Sequence, residues 1–294
     1  MKKIKLFTAV TVFVAAVAFI FAAAGTSGAA EAKREKTSIK LAASPGPYGD
    51  MFDEAIAPYL EKKYGYRVEI IEFADGTAAH QALVAGEIDI AIIGHLFYEN
   101  FIEKNLKEVF TPIFVVPTAG AGIYSKVYKS LSEVKDGDQF AIPSEVSNHP
   151  RVFDVLEKAK LIKLDKNVDP DLVTASDITE NPHNLKFVEV DRYLTPKALE
   201  SVPLSFIYGN VAFSSGVDLS TALYTEEMKE EYKNCLVVYG PKAGEQYVKD
   251  IQEAAQSEEF KSVLSAPKYA TFQKPIKSIP DKFYTDQGLE VPKS

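Results

Sequence analysis

Apolar residues fall along this chain in short continuous runs, separated by stretches in which they recur at helical spacing. Residues 39–43 (IKLAA) read as a strand, 44–50 (SPGPYGD) as a turn and 51–63 as a helix. A strand over 67–73, a helix over 77–85 and a strand over 88–93 complete a βαβαβ series. That order predicts a largely parallel sheet covered by helices on both faces. The runs VEII and IDIAII are near-continuous in apolar character, as strands buried on both faces are.

A second series follows the segment 110–124. Strands are predicted over 140–142, 185–190 and 204–207, with a helix between the first two and another over 196–201. Residues 164–184 are polar and turn-rich, with a short helix expected near 176–180. A strand over 236–238 and helices over 244–256 and 258–264 precede a proline- and lysine-rich tail from Pro267, expected to wrap the surface. Two α/β units joined by extended crossings is the simplest architecture.

One residue in the second series sits oddly. Val152, Phe153, Val155, Leu156, Ala159 and Ile162 share a helical face, so that helix starts near Ser147 or Asn148, both good N-caps, with Pro150 in its first turn. Arg151 then also lies in the first turn, where the helix dipole disfavours a cation by about 0.3–1 kcal/mol.

The formal net charge is −8, which disfavours nucleic acid and anionic membranes as partners. Lys2, Lys3 and Lys5 surround the start of an apolar run over 6–24, and Ala30-Glu31-Ala32 follows as a cleavage site, so residues 1–32 read as a signal peptide. Retained, the run is long enough to anchor in a bilayer. No cysteine stands near the cleavage site for lipid attachment, and the expected location is the periplasm. The single cysteine, Cys235, lies in the apolar run CLVV and reads as a core residue. None of the histidines (His80, His95, His149, His183) falls in a catalytic motif or a metal-ligand spacing, so no metal or cofactor is expected.

Several stretches resemble the methionine-binding, NlpA-type family of bacterial solute-binding proteins, which feed ABC importers. They are ASPGPYGD (43–50), VEIIEFADG (68–76), GEIDIAIIGHLFY (86–98), the long block from GIYSKVYKSL to LIKL (122–164), DITENPHNLKF (177–187) and YKNCLVV (232–238). The resemblance implies a two-lobed periplasmic-binding-protein fold, each lobe a mixed, mostly parallel sheet flanked by helices. Residues 38–117 with 236–294 would form one lobe and 118–235 the other, with the ligand between them. It implies a monomer that holds an amino acid or peptide-like carboxylate and delivers it to an ABC permease and its ATPase. In the family the arginine at the position of Arg151 grips the ligand's carboxylate, and an asparagine at Asn234 meets its polar end. His95 and Tyr98 match the family's H-x-x-Y pattern, whose rings wall the pocket.

The departures fall on the side-chain half of that implied pocket. Gly76 stands where an aromatic residue is expected, Ile92 and Ile93 replace an aromatic pair, and Tyr208 replaces an asparagine, with Asn210 two residues on. Aromatic rings suit a polarizable sulfur. Glycine and isoleucine there imply a larger, aliphatic pocket, for methionine or a related, bulkier apolar ligand. A ligand-responsive sensor, or an enzyme on the same fold, are the competing functions.

Overall fold

The computed structural model describes residues 35–292, so the expected signal peptide lies outside the described residues. Its strands, in chain order, are β1 (Ser38–Ala43), β2 (Arg67–Glu72), β3 (Ile90–Ile92), β4 (Phe110–Val115), β5 (Gly122–Tyr124) and β6 (Gln139–Pro143), then β7 (Lys163–Leu164), β8 (Ile178–Glu180), β9 (Lys186–Val190), β10 (Leu204–Ile207), β11 (Tyr224–Thr225) and β12 (Cys235–Tyr239). They form two five-stranded sheets, in the orders β2-β1-β3-β12-β4 and β11-β5-β10-β6-β9, and a small β7-β8 hairpin. Each large sheet carries a parallel trio: β1 pairs in parallel with β2 and β3, and β6 with β9 and β10. The remaining pairings are antiparallel, so both sheets are mixed.

Each sheet has its own core. Ile39, Leu41, Ile90, Ile92, Leu236 and Val238 pack under the helix that opens at Pro47. Phe140, Ile142, Leu204 and Phe206 pack against Val152, Phe153, Val155 and Leu156, the apolar face of the helix His149–Lys158. The chain passes between the sheets over residues 116–121 and again over 226–234.

Several boundaries differ from the sequence pattern, each for a local reason. The first helix begins at Pro47, where a missing N–H costs nothing, rather than at Met51. Its midpoint opens into a π turn over Phe52–Ile56, just ahead of Pro58, which cannot donate to the helical ladder. Gly65 and Gly86 end the flanking helices in the left-handed region (φ 73° each), which a Cβ disfavours. Helix Leu96–Leu106 is unsignalled because its buried face is thin: of its residues only Glu99 and Ile102 are fully buried, while Phe101 is exposed. Strand β4 contains Pro112, which an edge position and the adjacent register shift at Leu236/Val237 accommodate. The C-terminal tail covers that edge: the Val115 N–H donates to the Ser278 carbonyl at 2.6 Å, and helix Asp281–Asp286 packs beside it. Near 176–180 the chain forms a 3₁₀ turn, Ala175–Asp177, followed by β8. Among the described residues, no helix is long and apolar enough to cross a membrane.

Candidate functional site

The parallel trios of the two sheets end towards one cavity of about 540 Å³ of empty space, including its mouth. Ser44 follows β1 directly, and Gly76 opens the helix Gly76–Ala85 beyond β2. Ile93, Gly94 and His95 follow β3, and Tyr98 stands one helical turn further on. From the second sheet, Asn148 and Arg151 come from the loop and helix after β6, Arg192 follows β9, and Tyr208 and Asn210 follow β10. Asn234 joins them from the second passage between the sheets. Residues beyond the carboxyl ends of parallel strands are where α/β sheets place ligands.

Of the residues singled out from sequence, Arg151, Asn234, Tyr98, His95, Tyr208, Asn210, Gly76 and Ile93 line this cavity. Ile92 does not. Successive strand side chains point to opposite faces, and Ile92 is turned into the core with Ile39 and Leu41. Nor is the cavity enlarged at Gly76: a Cβ there would lie 2.3 Å from the Tyr98 hydroxyl and 3.1 Å from Ile93, so the vacated space is already filled. The lining is consequently polar rather than aliphatic.

Arg151 is 6 % exposed and forms a two-armed pair with Glu226, a residue the sequence did not single out. Nε donates to Oε1 at 2.8 Å and Nη2 to Oε2 at 2.7 Å. Oε2 also accepts the Ala121 N–H at 2.9 Å. The guanidinium lies over the rings of Tyr208 (5.4 Å) and Tyr232 (5.2 Å), which fix its plane. Burial would lower its pKa, but the Glu226 charge and hydrogen bonds outweigh that and raise it. The cation that looked misplaced in a helix first turn is thus held by a carboxylate, while Nη1 has no partner among the described residues.

Asn148 caps this helix by position, but its side chain makes no capping bond. It faces His95 instead, with Oδ1 3.2 Å from Nε2. His95 Nδ1 accepts the Tyr98 N–H at 3.1 Å, so the proton sits on Nε2, which donates to Asn148. Burial, and then the Arg151 charge, lower the His95 pKa to about 3, so the ring is neutral. Together with an Arg192 Nη2 bond to the Ala74 carbonyl (2.7 Å), the His95–Asn148 bond joins loops of the two sheets across the cavity. The Asn234 backbone is fully engaged, donating to Thr118 Oγ1 at 2.9 Å and accepting from the Val116 N–H at 2.9 Å. Its amide side chain is left to the cavity.

Behind the wall lies a buried ion pair. His80 Nδ1 stands 2.6 Å from the Gly76 carbonyl and Nε2 stands 2.8 Å from Glu99 Oε2. Both partners are acceptors, so only the imidazolium satisfies both. Burial alone would lower the His80 pKa, but the Glu99 charge, its hydrogen bond and the Gly76 carbonyl raise it overall. Since the folded value lies above the ordinary 6.5, this stabilisation is fully present below that pH and is lost as pH rises through the raised value. Urea unfolding across that range should therefore show a fall in wild-type stability that His80→Gln removes. Identical pH profiles for the two proteins would exclude the charged pair.

Ser44, Gly94, Asn148 and Arg192 line the site without having been assigned to it from sequence, and Glu226 and Tyr232 support it. A usable signal existed for Ser44 and Arg192, which stand within two residues of a predicted strand's carboxyl end. Among the described residues, no cluster of histidine, cysteine, aspartate and glutamate could hold a metal ion.

A family model described as NlpA lipoprotein matches residues 39–276. The chain is 32% identical over 251 residues to the D-methionine-binding lipoprotein MetQ of Salmonella typhi, covering 83% of this chain and 91% of that one. It is 35% identical over 234 residues to outer membrane lipoprotein 3 of Mannheimia haemolytica, covering 77% and 85%. Its fold matches a nutrient binding protein from Burkholderia cenocepacia bound to methionine with a TM-score of 0.75, at 26% identity, over 80% of this chain and 99% of that one.

Proposed function

The chain belongs to the NlpA lipoprotein family in its MetQ form, exported substrate-binding proteins of ABC transporters and not enzymes, and from that premise we propose that it captures a small zwitterionic α-amino acid or peptide-like ligand between two lobes. The observation that carries this reading is the Arg151 guanidinium, held by Glu226 through Nε and Nη2, with Nη1 unpartnered among the described residues, in the lining of a cavity that Asn234 shares. A free guanidinium edge beside a helix N-terminus suits a carboxylate. The Asn234 amide can accept from an ammonium and donate to a carboxylate. Because Glu226 already balances Arg151, this end of the site is neutral overall and favours a zwitterion over a simple anion. Methionine is the ligand of the Burkholderia cenocepacia relative and the reference against which others are ranked. The protein serves as the periplasmic receptor of an ABC permease and its ATPase.

The lobes correspond to the two sheets, with the passages at 116–121 and 226–234 as hinges. The His95–Asn148 and Arg192–Ala74 bonds then belong to the closed form. Small-angle scattering of the protein, freed of ligand by unfolding and refolding, should give a smaller radius of gyration once saturated with L-methionine or L-glutamate, whichever binds more tightly. A radius that stays constant at proven saturation would count against hinge closure.

A further inference from the structure

Building on the function proposed above, we infer that the side-chain end of the site takes an anionic group, held by Arg192, so that the preferred ligand is an α-amino acid or short peptide with a second carboxylate or a sulfonate. Arg192 opens the 3₁₀ turn Arg192–Leu194 after β9, and its side chain is 23% exposed, at the cavity wall. Nη2 donates to the Ala74 carbonyl (2.7 Å) and to the Tyr193 hydroxyl (3.2 Å), and the guanidinium lies over the Tyr193 ring at 4.8 Å. These contacts fix its plane against the loop that leads into the helix opening at Gly76, where the ligand's side chain is expected.

Part of this cation's donor capacity is still unused. Glu145 pairs with it loosely, Oε1 lying 3.4 Å from Nε and Oε2 buried without a hydrogen bond among the described residues, whereas Glu226 meets Arg151 on two arms at 2.7 and 2.8 Å. Nη1 of Arg192 has no partner among the described residues. Independently, Tyr208 lines the same cavity, and its hydroxyl is buried and makes no hydrogen bond among the described residues. A buried hydroxyl without a partner is costly unless a ligand supplies one. Two donors of the cavity lining, an Arg192 N–H and the Tyr208 O–H, are therefore left without acceptors among the described residues. A thioether is a poor acceptor and would leave both unsatisfied, whereas a carboxylate or sulfonate takes both. Ile93 is the one aliphatic side chain in the lining, which leaves little to hold a methyl-thio group.

The test is calorimetric titration of the ligand-free protein with L-glutamate, L-homocysteate, L-glutamine and L-methionine, alongside the Arg192→Gln and Tyr208→Phe variants. The expected result is binding of glutamate or homocysteate at least about tenfold tighter than glutamine and methionine, a preference that Arg192→Gln removes. Tyr208→Phe should reduce the same preference. If methionine or glutamine binds wild type as tightly as the acidic ligands, the inference is overturned and the solute-binding reading stands. If none of the four binds, nor any other α-amino acid or dipeptide, the reading beneath it falls as well.

Discussion

Glu226→Ala is expected to lower the unfolding free energy by about 3–5 kcal/mol, the cost of stranding one member of a buried ion pair. Glu226 is 4 % exposed and Arg151 6 %, so neither charge can turn to water without moving the chain. The substitution also removes the acceptor of the Ala121 N–H, in the first passage between the sheets. A neutral partner on both sides should behave differently. Arg151→Met combined with Glu226→Gln leaves no buried charge, and its loss of stability should be well below the sum of the two single losses. Urea unfolding of the four proteins measures this. A loss below about 1 kcal/mol for Glu226→Ala would place the pair in solvent, where such pairs contribute little.

The fold was largely legible because its strands are apolar runs and its best helices have one apolar face. β10 and the helix Glu258–Leu264 fall where their patterns place them, and β1, β6 and β9 lie within a residue or two. Helix Leu96–Leu106 escaped because a His80–Glu99 pair occupies part of its buried face, where a periodic apolar residue would have signalled it. Helix Gly209–Ser214 escaped because it is short and begins at a glycine straight after a strand.

The site was half legible. Arg151 was visible as a charge in the wrong place on a helix, and the resemblance drew attention to Asn234, His95 and Tyr98. Its partner Glu226 was not visible, since 75 residues separate them and only the fold joins them. The side-chain end was misjudged for a steric reason. An absent aromatic at position 76 suggests space, yet the Tyr98 ring fills that space from the neighbouring helix. Ile92 was misplaced because adjacent strand residues face opposite sides of the sheet, and only Ile93 reaches the cavity. Arg192 carried no motif, and its importance rests on standing at the carboxyl end of β9.

The central claim is that Arg151 binds the α-carboxylate of an amino-acid ligand, and a comparison of Arg151→Met/Glu226→Gln with wild type tests it most directly. Arg151→Met alone confounds binding with stability, because it leaves Glu226 buried without a counter-charge. The double variant separates them, since it removes the grip without stranding a charge. Each protein, freed of ligand, is titrated calorimetrically with L-methionine and with L-glutamate, which share an α-carboxylate and differ at the far end. The predicted result is a loss of about 1.5–3 kcal/mol in binding free energy for the ligand that wild type prefers, the range for a hydrogen bond to a charged group. Equal affinities in the double variant and wild type would contradict the claim.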